Sequence, residues 1–439
     1  MHLATLYRLR WPLIRLPLLV LAIVACGLIL QWVYPLPPAR LVLSSGMPGG
    51  AYQAFAEQYR QALADHGVDL IIQASEGSAQ NLSRLTASPP VADIAFVQGG
   101  FGWSSFDSPG EHQGHVQTLA TIDFEGLWLF SLDVPITQLH QLKGMKVAAG
   151  PPGSGHRVLF ERLLKQAELP ASELTILDIS GVTAQAALAA GEVDAVFMVA
   201  SPNAPVIDKL LTTPRARTAV LEHAAAIVER NTYLNYRLLP QDSLGQDRPA
   251  ADTALLTTPT HLLAQSDLDP ALQRLVTAVA MQIHEAPGSF HRRGELPTIR
   301  FSDFPASPEA RSVLVHGLNW MEANLPFTLA QVVQRMVIIG IPAVLLTVLL
   351  MALIPAWIRL VLESRVSRWY GELRFIEHDL REKQLEAGGL EMTRISNRLR
   401  QLERSFGEVK LPPELAPRWF ALHQHVSFVR AHLRKYRGR

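Results

Sequence analysis

Met336–Ile358, MVIIGIPAVLLTVLLMALIPAWI, holds no charged residue over 23 positions. With a rise of about 1.5 Å per residue, a helix of that length crosses a hydrocarbon core of roughly 30 Å. Pro342 and Pro355 lie toward its ends, where a transmembrane helix tolerates proline. A buried helix of a large soluble protein is the competing reading, but one this long usually carries a polar residue. The stretch therefore predicts a membrane span, and every other segment takes its side of the membrane from it.

Charge assigns the sides. Residues 1–34 carry Arg8, Arg10 and Arg15 and no acid, a charge of +3. Residues 359–439 carry 17 Lys/Arg against 10 Asp/Glu, a charge of +7. The whole chain is only +1, so the middle is at −9. Basic flanks stay in the cytoplasm, while long domains cross largely regardless of charge. Both termini are expected in the cytoplasm and the acidic middle outside, in the periplasm of a protein held in the cell inner membrane.

Leu16–Leu30 is a second uncharged run, behind the three arginines and followed by Trp32 and Tyr34, residues that suit a membrane interface. Three readings stay open: an uncleaved signal anchor, a cleaved signal peptide, and lipoprotein processing at Cys26, the chain's lone cysteine, which follows Ile23-Val24-Ala25. The anchor fits best, because the run stays mostly apolar beyond Cys26. Pro35, Pro37 and Pro38 make a short stiff linker.

From Arg40 strands and helices alternate. Leu41–Ser44, Val68–Gln73 and Ile94–Gln98 read as strands, with helices over Ala51–His66 and Ser78–Ala87. Two further strands are expected at Gln117–Ile122 and Gly126–Phe130. A similar unit follows, with strands Lys146–Ala149, Leu174–Asp178 and Ala195–Val199 and helices Thr137–Leu142, His156–Ala167 and Val182–Ala190. A third alternation, Ala254–Thr257 then Leu268–His284, returns to the first unit. The pattern predicts an α/β class with two lobes, 39–133 plus 252–330 and 134–251, joined by two crossovers around a cleft. Ligands in such sheets sit at the carboxyl ends of the strands near helix starts. Beyond the span, Glu363–Glu386, Leu390–Phe406 and Pro413–Lys435 read as an all-α cytoplasmic tail, a small antiparallel bundle.

Three loops carry candidate chemistry. Ser44–Tyr52 and Gly150–Gly155 each leave a strand and open a helix, and glycine there lets a ligand approach free backbone N–H groups. Each could equally be only a turn. In the third, Ser75–Asn81, a serine caps the next helix, or Ser78 and Asn81 donate into the cleft. Gln98 ends an apolar strand and points either to the cleft mouth or into a satisfied core site. Asp194 is expected to brace a turn. Glu111, His112 and His115 fall short of a metal site, lacking a second ligand pair. No nucleophile elbow, P-loop or paired-carboxylate motif occurs, so neither an enzyme nor a cofactor is expected, and nothing points to nucleic acid.

The stretches SSGMPGGAY at 44–52, SEGSAQNL at 75–82 and DIAFVQ at 93–98 resemble the TAXI family, the solute-binding subunits of TRAP transporters. KVAAGPPGSG at 146–155 and GEVDAVFMVASPNAP at 191–205 continue the likeness. Leu325-Pro326-Phe327, Ser367–Leu373 and His423–Val426 are similar to a membrane-anchored branch of that family. The resemblance implies a two-lobed type II periplasmic-binding-protein fold holding a small anionic solute, a carboxylate or an amino acid such as glutamate, for a TRAP-type membrane permease. It implies as ligand-binding residues Gly46, Gly49, Gly50, Tyr52, Ser78, Asn81 and Gln98 from one lobe and Ser154 and Gly155 from the other. Gln53 and Gly99-Gly100 depart from the family pattern. A ligand-sensing or scaffold protein signalling through the second span to the cytoplasmic helices is the alternative function.

Overall fold

The computed structural model describes residues 17, 19–28, 31–32, 34–105, 108–109, 114–245, 247–382, 389–407 and 416–437. Glu111 and His112 lie outside them, as do the three N-terminal arginines. The chain divides into two units, Tyr34–Arg335 and a second made of Met1–Val33 with Met336–Arg439.

The first unit is built on one ten-stranded sheet. Its strands are β1 Arg40–Ser44, β2 Asp69–Gln73, β3 Ile94–Gln98, β4 Val116–Leu132, β5 Lys146–Ala148, β6 Thr175–Leu177, β7 Ala195–Ala200, β8 Ala216–Thr218, β9 Asn235–Leu239 and β10 Thr253–Gln265. The order along the sheet is β2-β1-β3-β10-β4-β7-β5-β6, with β9 paired to β10 and β8 to β4. β1, β2 and β3 run parallel in one lobe, and β5, β6 and β7 run parallel in the other.

The two long strands join the lobes. β10 pairs through Thr253–Thr257 with β9 and through Thr260–Ala264 with β3. β4 pairs through Val116–Gly126 with β10 and through Gly126–Ser131 with β7. Each therefore gives one half to each lobe, and these are the two crossovers of a type II periplasmic-binding-protein fold. The expected pair of strands within 117–130 is in fact this single 17-residue strand. Asp123 and Glu125 suggest a turn by their charge. They are instead accommodated inside the sheet, and the buried partners of Glu125, described below, explain how.

Helices cover both faces. In the first lobe α1 Ala51–Asp65 buries Tyr52, Ala56, Tyr59 and Leu63, a stripe at four- and three-residue spacing. With Leu43, Phe96, Ile122 and Leu262 these form one core. α2 Ser78–Thr86 covers the opposite face with Leu82 and Leu85 on Ala95, Val97 and Leu263. In the second lobe α3 Gly155–Gln166 buries Leu159, Phe160 and Leu163 beside Phe197 and Val199, and α4 Gly181–Ala190 packs Ala184 and Leu188 against Val196 and Met198. The segment read as helix Thr137–Leu142 is a single 3-10 turn over Leu139–Leu142. α5 Pro205–Thr212 and α6 Ala224–Arg230 complete that lobe.

α7 Pro270–His284 and α8 Pro308–His316 return the chain to the first lobe. Each starts with proline after a capping side chain: Asp269 accepts from the Ala271 N–H at 2.8 Å and Ser307 from the Ala310 N–H at 3.1 Å. α9 Phe327–Arg335 closes the unit. Its Arg335 donates to the Pro35 carbonyl at 2.7 Å and lies 4.7 Å over the Tyr34 ring, so the chain enters and leaves this domain at one place.

In the second unit a π turn, Met336–Gly340, leads into α10 Ile341–Glu382, 42 residues long. Among the described residues one helical stretch, Phe327–Leu353, is long and apolar enough to cross a membrane. It begins nine residues before Met336, because helix α9 continues through the π turn. Ile338, Leu345 and Leu353 are all exposed. A shorter apolar helix spans Leu19–Leu28. α11 Gly389–Gly407 and α12 Ala416–Arg437 share one apolar core with the end of α10: Leu373, Ile376 and Leu380 meet Ile395, Leu399 and Leu402 and then Leu422, Val426, Val429 and Leu433. His425 bonds Glu377 across it at 2.7 Å.

Candidate functional site

The carboxyl ends of β1 and β3 are tied together by Asn81. Its Nδ2 donates to the Ser45 carbonyl at 2.7 Å and to the Phe96 carbonyl at 2.8 Å, while its Oδ1 accepts from the Ser44 hydroxyl at 2.6 Å. Both donors of this amide are engaged, so Asn81 acts as a brace beneath the loops. Ser78 is buried as well, and its hydroxyl accepts from the Gln98 backbone N–H at 3.0 Å. The helix cap at this point is Gly77, with φ of 128°, a conformation open to glycine.

Gly46 is buried and lies under Tyr52: a Cβ there would come within 3.0 Å of the Tyr52 Cβ. Gly49, with φ of 80°, and Gly50 form the exposed tip of the first loop. In the other lobe Ser154 caps α3, accepting from the Arg157 N–H at 3.3 Å, and Gly155 opens that helix. Asp194, expected to brace a turn, instead ties the starts of two neighbouring strands, accepting from the Lys146 N–H at 2.7 Å.

Gln98 joins the two halves. Its side chain lies against Gly155, where a Cβ would overlap the Gln98 Oε1. The lobes therefore touch at this point, and a side chain at 155 would displace the end of the Gln98 amide. A second contact across the lobes comes from Arg162 of α3, which donates to the Gly100 carbonyl and sits 5.8 Å from the rings of both Phe101 and Tyr233. The Gly100–Gly102 turn is held from behind by Asp303, whose Oδ2 accepts from the two glycine N–H groups at 2.7 and 2.8 Å. His261 lies 3.1 Å from the other Asp303 oxygen, and this pairing holds the Asp303 carboxyl below its ordinary range against the opposing effect of burial.

Under Gln98 lies a residue that the sequence reading passed over. Glu125, from the middle of β4, is 5% exposed. Its Oε2 accepts from Tyr52 Oη at 3.0 Å, Gln98 Nε2 at 3.1 Å and Thr260 Oγ1 at 3.1 Å. Burial raises the Glu125 pKa, and these three bonds offset part of the rise; no cationic side chain contributes. Asp123, two residues earlier and on the same strand face, is raised to about 7 by burial and by the charge of Glu125. The Tyr52 hydroxyl is raised well above its usual value by burial and by the same carboxylate. One signal could have found the pair: two acids at i and i+2 in a run otherwise apolar enough to be buried.

Of the expected residues, Tyr52 and Gln98 bond Glu125, Ser78 bonds the Gln98 backbone, and Gly155 lies against the Gln98 side chain. Asn81 lies behind them as a brace, Gly46 lies beneath Tyr52, and Gly49 and Gly50 stand at an exposed loop tip. Among the described residues no cluster of three His, Cys, Asp or Glu side chains could hold a metal.

The NMT1-like family matches residues 44–293, more than half of the chain, and so spans both lobes and the two crossovers. The chain belongs to the NMT1-like family. No curated protein is similar enough in sequence to match it. Among solved structures, the alkanesulfonate-binding protein SsuA of Xanthomonas axonopodis pv. citri, bound to MOPS, is 18% identical, over 56% of this chain and 73% of that one, at a TM-score of 0.34. The periplasmic aliphatic sulphonate-binding protein SsuA of Escherichia coli is 16% identical, over 56% and 72%, at 0.36. A periplasmic transporter is 12% identical, over 70% and 99%, at 0.40. This NMT1-like chain adds to the matched region the apolar helical stretch and the three-helix core.

Proposed function

We propose that this protein is a membrane-tethered extracytoplasmic solute receptor of the TAXI type. It closes its two lobes on a small anionic solute, a carboxylate or an amino acid such as glutamate, and presents it to a TRAP-type permease. The observation that carries this reading is the contact between Gln98 and Gly155, made where the carboxyl ends of β3 and β5 converge on the crossovers. A solute reaches that position only when the lobes part, so occupancy and closure are coupled. The solute carboxylate is assigned to the helix starts at Gly50–Tyr52 and Ser154–Gly155, whose N–H groups favour an anion. The charge segregation supports a main domain in the periplasm of the inner membrane, both termini in the cytoplasm and two spans. Catalysis, a cofactor and nucleic acid have no place in this reading.

One observation favours a second reading. α10 runs without interruption from the apolar stretch into the three-helix core, so a ligand sensor has a continuous rod along which to act. Truncation after Ser364 separates the two: a receptor lacking residues 365–439 keeps solute-dependent uptake by its permease, whereas a sensor loses its cellular response.

A further inference from the structure

Glu125 is a buried carboxylate with no cation beside it. Three donors crowd its Oε2, and none of the three reaches Oε1. Gln98 repeats the pattern. Because a carboxylate only accepts, Gln98 must turn its Nε2 toward Glu125, which aims Oε1 at Gly155 of the other lobe. That oxygen is buried and has no hydrogen-bond donor, in a side chain 3% exposed. Two acceptors thus lie together at the lobe contact, one of them charged. A buried acceptor without a donor is costly, and a buried charge without a partner more so. A neutral hydroxyl would satisfy an acceptor but leave the charge uncompensated, whereas a protonated amine supplies donors and charge at once.

We infer that Glu125 and Gln98 form a subsite for the protonated amine of the solute, so that the receptor takes a small zwitterion and discriminates against simple carboxylic acids. This rests on the receptor reading above and extends it to the end of the solute that faces the crossover strands. Tyr52 and Thr260 are positioning residues, since they hold Glu125 through its other oxygen.

Titration calorimetry on the full-length protein in detergent tests this with two matched series. One is the set of L-amino acids; the other is the same acids with the amine replaced by hydrogen, such as glutarate for glutamate. The expected result is that an amino acid binds and its amine-free twin binds about tenfold or more weakly, the value of one hydrogen-bonded charge. Glu125→Gln, nearly the same shape, should abolish that gap. Should this variant fail to fold by circular dichroism, Gln98→Met removes the unpartnered acceptor together with the Nε2 bond to Glu125 and should narrow the same gap. Equal affinity for the twins, or an undiminished gap in the folded variant, overturns the amine subsite and leaves the receptor standing. Failure of both series to bind at millimolar concentration overturns both readings.

Discussion

Single side chains divide here into those that hold the loops and those that face the lobe contact. Asp123, on the strand face that carries Glu125, has a measurable signature. Its folded pKa is raised to about 7, whereas an unfolded aspartate titrates near 4. Between these values the folded state holds the extra proton, so Asp123 makes stability fall as pH rises through that window. Asp123→Asn has no such titration. It should melt as wild type near pH 4 and higher than wild type above pH 7, by on the order of 2–4 kcal/mol. A wild-type advantage at high pH in circular dichroism melts would show that the carboxylate is stabilised by a partner. The glycine-rich loops, Gln98 and Asn81 were legible as loop-end residues, but their division of labour was not. Whether an amide braces carbonyls or faces a ligand depends on chain segments far apart in sequence, as with Ser45 and Phe96 around Asn81. Glu125 escaped notice because its partners, Tyr52, Gln98 and Thr260, come from three other elements.

Elements were more legible than side chains, because periodicity is local. α1 and α2 start at the expected residues and β3 has the expected bounds. The misreadings share one cause. β4 is one strand where Gln117–Ile122 and Gly126–Phe130 are expected as two, and β10 runs to Gln265 where Ala254–Thr257 is expected. Both are crossover strands, and their length is set by bridging two lobes, a demand that no local window records. The tail was read from its stripe, which packs as one core. Leu422 is completely buried in it. Leu422→Ala should cost about 2–5 kcal/mol of the tail's stability. Under the receptor reading, solute affinity measured by calorimetry stays unchanged in that variant; a shift in affinity would favour the sensor.

The whole molecule is a two-lobed α/β domain followed by an apolar helix that continues into a helical tail. The receptor reading requires the lobes to open and close around a solute at the Gln98–Gly155 contact. Met47 and Pro152 stand exposed on loops of opposite lobes. Cys26, the only native cysteine, can be replaced by alanine, after which spin labels at Met47→Cys and Pro152→Cys report the distance between the lobes in the full chain. Pulsed electron resonance should give a broad or two-peaked distribution without solute. A millimolar mixture of L-amino acids should collapse it to its short component. A single distance, identical with and without the mixture, would contradict the account.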